Sequence, residues 1–166
     1  MKKNTKDAER QTWIRKLDRI VSLYVRMRDS REYGFKYCRC ISCGKVKPIS
    51  DIDCGHYISR RCMLLRFDTR NLNGECSRCN RFDVDHLIGY RKNLIWRLGR
   101  QALERSKFST VTDPAIREKF IKEYGEKNVA KLESERFKTK KWDVDELKSL
   151  YVHFSKMILD LRGEAH

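Results

Sequence analysis

Proline and glycine are scarce, with 2 and 8 among 166 residues. Collagen-like and low-complexity chains need far more of both, and are excluded. Long apolar runs are missing too. No stretch approaches the roughly 18 apolar residues that span a bilayer, so a membrane partner is not expected. The first ten residues, Met1 to Arg10, are rich in charge and carry no apolar segment of a secretory signal. These absences predict a soluble protein of the cytoplasm. In that compartment seven cysteines suit metal ligation or free thiols better than disulfides.

Acidic groups are the minority charge. There are 23 of them against 38 lysines and arginines, a net +15, with a pI near 9.7. Such an excess points to a polyanionic partner, nucleic acid ahead of a membrane surface. The chain is 37% charged, well above the roughly 25% of an average soluble protein. Its 40% hydrophobic content is still enough for a folded core. The excess is uneven: residues 1–37 carry +6, residues 38–99 another +6, and residues 100–166 only +3. The first 99 residues should therefore meet the polyanion.

Periodicity divides the chain into three parts. Residues 1–37 hold a basic amphipathic helix over 8–29, with Trp13, Leu17, Ile20, Val21, Tyr24 and Met27 at three- and four-residue spacing. Arg15, Lys16, Arg19 and Arg26 are distributed around that stripe. Residues 38–99 form the middle part, and residues 34–80 are turn-rich and cysteine-rich, with too few apolar groups for a large core. Here 46–49 and 52–58 read as a strand pair turning at Ser50-Asp51. A helix follows through Leu87, Ile88, Arg91, Leu94, Ile95 and Leu98, with Gly99 as its C-cap. Residues 100–166 are helical after a connection at 100–111. One helix opens at Thr112-Asp113-Pro114 and ends or bends at Gly125. Another begins near Asp143 and carries Leu147, Leu150, Tyr151, Phe154, Met157, Ile158 and Leu161.

Cys40-Ile41-Ser42-Cys43 and Cys76-Ser77-Arg78-Cys79 are two C-x2-C pairs separated by 32 residues. Each spacer lets two thiolates face one ion, and four thiolates close the tetrahedral shell that suits a structural zinc. A closed shell leaves no position for catalysis, so chemistry belongs elsewhere. Cys38, Cys54 and Cys62 remain as thiols without an assigned role.

Between and beside the pairs stand Asp53-Cys54-Gly55-His56-Tyr57, Arg70-Asn71 and Asn80. Their order resembles an HNH (ββα-metal) nuclease: a histidine closing a strand, an asparagine in the middle loop, and a polar residue on the helix after the knuckle. Hydrolysis of a phosphodiester needs a neutral imidazole near pH 7 to take a proton from water, and His56 is the candidate base. Asn71 would fix its ring through a hydrogen bond, usually by its backbone carbonyl. A hard cation, Mg²⁺ or Mn²⁺, takes oxygen ligands, which Asp53 and Asn80 offer. Arg60, Arg61, Arg66, Arg70, Arg78 and Arg81 crowd the same segment and suit bidentate phosphate contacts. Each residue alone has a plainer explanation: a structural histidine, a helix cap, a solvated charge. His86 and Asp85 stay unassigned.

The chain resembles the phage NinG/Rap recombination nucleases. The resemblance runs through Val25-Arg26-Met27-Arg28-Asp29, Cys40 to Gly44, Asp53 to Tyr57, Leu65 to Asp68, Arg70 to Asn73, Cys76 to Asn80 and Tyr90-Arg91. It resumes at Gly125 to Val129, Leu132-Glu133, Trp142 and Asp145-Glu146. After Asn80 the chain departs from the Gly-Asn pair common in the family, and residues 100–120 look inserted. The resemblance implies zinc on the four paired cysteines, His56 as general base and a catalytic divalent ion. It also implies cleavage of branched recombination intermediates, Holliday junctions and D-loops, in the host cytoplasm. The expected fold is α+β and mainly helical, a zinc-stabilised ββα-metal core flanked by N- and C-terminal helices. A non-catalytic zinc-ribbon DNA binder and an HNH nuclease of duplex DNA are the alternatives. A homodimer would set two sites on opposing strands, but no dimer interface is evident in the sequence.

Overall fold

The computed structural model describes residues 5–164. It is mainly helical, with two small antiparallel sheets. The first helix, α1, spans Thr5–Ser30 and buries Ile14, Leu17, Val21, Tyr24 and Val25, close to the stripe predicted from periodicity. It packs against the last helix, α5, Val144–Gly163. Tyr24 meets Phe154 there, with ring centroids 5.4 Å apart. Asp143 starts α5 with a reciprocal capping box: its side chain accepts from the Glu146 N–H, and Glu146 accepts from the Asp143 N–H.

Strands β1 (Tyr37–Arg39) and β2 (Val46–Pro48) pair with each other. Strands β3 (Ile52–His56) and β4 (Leu72–Cys76) form the second sheet, with His56 opposite Leu72 and Ile52 opposite Cys76. The expected pairing of 46–49 with 52–58 is therefore wrong. A two-residue hairpin needs positive φ in its loop, normally from Gly or Asn, and Ser50-Asp51 supplies neither. Residues Ile49–Asp51 instead form a 3-10 turn that carries the chain from one sheet to the other. A short helix, α2 (Ser77–Phe82), follows β4 directly.

The long helices α3 (His86–Glu104) and α4 (Pro114–Glu135) pack closely as a pair. Asp113 caps α4 by accepting from the Ala115 and Ile116 N–H groups. Two predicted helix ends are corrected here. Gly99 is not a C-cap, and Gly125 does not end α4; both lie buried inside their helices. A Cβ on Gly99 would sit 1.9 Å from the Ile121 carbonyl oxygen, and one on Gly125 would sit 2.0 Å from that of Ile95. The glycines let two backbones touch. Similarly, the expected connection at 100–111 begins only after Glu104.

The β3–β4 sheet lies between these helical pairs. Cys54, Phe67 and Leu72 complete the α1–α5 core, while Ile41, Leu65 and Tyr90 join Leu94, Leu98, Val129 and Leu132 on the other side. No helix of the described residues is long and apolar enough to cross a membrane.

Candidate functional site

The cysteine cluster is the first site. The Sγ atoms of Cys40, Cys43, Cys76 and Cys79 all lie within 4.8 Å of one another, and none of the seven cysteines forms a disulfide. The β1–β2 loop brings in the first pair, and the junction of β4 with α2 brings in the second. The N–H of Cys76 donates to Cys40 Sγ at 3.3 Å, a bond that favours a thiolate over a thiol. Four soft sulfurs at this separation fit a single tetrahedral ion such as zinc. Cys38, Cys54 and Cys62 are not part of this four-sulfur group, although Cys38 packs beside it. Burial pushes the Cys38 and Cys54 thiols up to about 12, which makes them packing groups rather than nucleophiles.

The second site is a cavity of about 600 Å³ between α1, the end of β3, the following loop and α2. His56, Asp53 and Asn80 all line it, as do Arg60, Arg66 and Arg81. The fold thus brings together six of the predicted residues outside the cysteine cluster. Helix α1 adds Asp18, Arg19, Ser22 and Arg26 on successive turns. Only Arg19 and Arg26 had a visible signal, as part of the basic face.

His56 ends β3, and its Nε2 lies 3.3 Å from the Arg66 carbonyl oxygen. A carbonyl only accepts, so in the neutral ring that nitrogen carries the proton. Burial and the nearby Arg60 charge hold the imidazole down at about 4, although the Arg66 and Cys54 backbone and Asp18 oppose the shift. The ring is therefore neutral at pH 7.

Asp53 is already occupied. Arg81 donates to its two carboxylate oxygens at 3.0 Å each, and the Asn80 amide nitrogen donates at 3.2 Å. Burial pushes this carboxyl up, but the bonds from Arg81 and Asn80 outweigh it and hold it below the usual carboxylate range. Arg66 is likewise paired, to Asp18 through contacts of 2.9 and 2.6 Å. Both acids of the cavity are thus neutralised within it. Arg19, Arg26 and Arg60 have no acidic partner among the described residues. The cavity therefore carries an excess of positive charge.

Asn71 is placed differently from expectation. It is fully buried, and its carbonyl accepts from the Tyr57 N–H and the Tyr90 hydroxyl, not from His56. Its side chain accepts from Ile58 N–H and donates to the Ile58 and Leu65 carbonyls. It staples the loop between β3 and β4. The next residue after Leu65 is Arg66, whose carbonyl holds the imidazole. The role given to Asn71 therefore belongs to Arg66, with Asn71 supporting it at one remove. A backbone carbonyl was expected, but no sequence signal marked that of Arg66.

The remaining arginines separate. Arg70 is tied to Asp68 and Glu135, which makes it a brace between the loop and α4. Arg61 and Arg78 are exposed outside the cavity. His86 faces inward, its Nδ1 2.7 Å from the buried carboxylate of Glu75, which also accepts from the Ser42 hydroxyl. His86 thus locks α3 onto the cysteine-bearing loops.

Residues 1–111 match the family described as Bacteriophage Lambda NinG protein, and the chain belongs to that family. A "Protein ninG" of Escherichia phage 933W is 34% identical over 96 residues, covering 57% of this chain and 44% of its own length. The Escherichia phage lambda protein of that name is 33% identical over 96 residues, with the same coverage. That of Salmonella phage P22 is 27% identical over 154 residues, 92% of this chain and 59% of its own. The chain thus spans about half the length of the curated relatives it matches. No solved structure matches it.

Proposed function

We propose that this protein is an HNH-type endonuclease that hydrolyses phosphodiester bonds in branched DNA with the help of a divalent cation. The observation that carries this reading is His56: a neutral imidazole facing a cavity with five arginines, whose two acids are already paired. In this reading β3, β4 and α2 form the ββα-metal core. Arg19, Arg26 and Arg60 hold the phosphate oxygens, for which guanidinium groups are suited. The Arg66 carbonyl orients His56, and the second ring nitrogen keeps a lone pair for the proton of the attacking water. Water's oxygen bonds to phosphorus, the bond to the leaving oxygen breaks, and that oxygen takes a proton from solvent.

Asp53 and Asn80 would supply the oxygen donors for a Mg²⁺ or Mn²⁺ ion, which would stabilise charge on the leaving oxygen. Arg81 must then turn from Asp53 to the phosphate. The preference for branches comes from the family resemblance; the cavity itself suits any phosphodiester.

The test is a substrate panel of four-way junction, flap, linear duplex and single strand, with Mg²⁺ or with EDTA. The proposal expects Mg²⁺-dependent nicks in the branched substrates first. Binding without any cut identifies a zinc-ribbon DNA binder, and equal cutting of linear duplex removes the branch preference.

A further inference from the structure

A second groove runs beside the cavity on the same helix. Its walls are Trp13, Lys16, Arg19, Ile20 and Leu23 of α1, with Tyr151 of α5, around about 400 Å³. That volume falls among small-ligand clefts. Arg19 belongs to both spaces. At 100° per residue, positions 19, 22 and 26 form the stripe facing the cavity, and 13, 16, 20 and 23 form the next one. The two spaces are therefore neighbours that share one arginine.

The groove combines rings with cations. Trp13 and Tyr151 meet edge to face, centroids 5.8 Å apart, and both are only partly buried. Lys16 Nζ lies over the Trp13 ring, 4.2 Å from its centroid, and Lys148 Nζ 5.8 Å from it, so a base stacking there displaces an ammonium toward its own phosphate. Lys16 and Arg19 are exposed. Aromatic faces flanked by cations are what unpaired nucleotides bind: bases stack on the rings and phosphates meet the charges. A continuous duplex offers no free base face there, so the occupant is a single strand.

We propose that the α1–α5 groove binds unpaired DNA leading away from the phosphate held beside His56. Its bases lie on Trp13 and Tyr151, and its phosphates on Lys16 and Arg19. This rests on the nuclease reading for its orientation, and it gives that reading a structural source of branch preference: only a substrate with a splayed arm fills both spaces.

The experiment measures binding of the full chain to a fluorescein-labelled oligothymidine and to a blunt duplex, in EDTA so that nothing is cut. Trp13→Leu and Tyr151→Leu should each weaken oligothymidine binding about tenfold while duplex binding changes less than about twofold. Lys16→Glu, at an exposed position that does not burden folding, should also weaken the single strand more than the duplex. Trp13→Phe, which keeps a ring, should recover most of the affinity. Unchanged oligothymidine affinity in all these variants overturns the proposal, as does an equal fall on both DNAs, and a groove that serves a protein partner gives the first result. Cleavage of the branched substrates in Mg²⁺, measured in parallel on the unmodified protein, separates the two readings. If no DNA is cut yet the groove variants lose the single strand, the nuclease reading fails and the groove stands.

Discussion

At the scale of single residues, environment decides role more than identity does. His56 is one of four histidines, and what distinguishes it is a half-buried ring beside Arg60 and two backbone carbonyls. Its value of about 4 lies below the ordinary 6.5. As pH falls from 6.5 toward 4 the unfolded chain takes up the proton first, so His56 makes the fold less stable across that window. An NMR titration of the imidazole should give an apparent value near 4; one at or above 6.5 contradicts the described burial. Asn71 is the residue most changed by the structure. Its type and spacing were legible in the sequence, but its three side-chain bonds to Ile58 and Leu65 were not, because they depend on how the loop closes. Asn71→Ala leaves buried backbone groups unpaired, and should cost about 2–4 kcal/mol in urea unfolding. A loss below about 0.5 kcal/mol would show that the loop does not depend on it.

At the scale of elements, amphipathic periodicity gave α1 and α5 nearly to their ends, since each buries one stripe against the other. Strand pairing was not legible. The strands are three to five residues long, and their partners are fixed by where the cysteine pairs must meet, not by local pattern. Gly99 and Gly125 show a related gap. Read locally, a glycine late in a helix is a stop, whereas here each admits a neighbouring backbone. Gly125→Ala gains up to about 1 kcal/mol of helix propensity, yet must push α3 from α4. The net expected change is a loss of about 1–3 kcal/mol, read as a lower melting temperature. An unchanged or raised melting temperature contradicts the close crossing.

At the scale of the molecule, two helical pairs enclose small sheets that have little apolar core of their own. The buried cluster there is Cys38, Cys40, Ile52, Cys76 and Cys79, mostly sulfur. A bound ion would hold it, and metal affinity is then folding free energy. We expect one zinc per chain by elemental analysis, and loss of it to a strong chelator should lower the melting temperature. Metal-free protein that melts unchanged would show the cluster to be dispensable. The two C-x2-C pairs were the most legible feature of the sequence, because their spacing is set by coordination chemistry. The cavity was half legible. Its arginines around the knuckle could be read directly, but Arg19, Arg26 and Asp18 come from a helix folded over it.

In the proposed mechanism His56 takes the proton from the attacking water. Single-turnover cleavage of a four-way junction in Mg²⁺ tests it most directly, comparing the unmodified chain with His56→Ala and measuring junction affinity for both. Removing a general base should slow cleavage by about 10²–10⁴-fold while affinity stays within about threefold, since the arginines remain. Cleavage by His56→Ala at the unmodified rate would contradict the account.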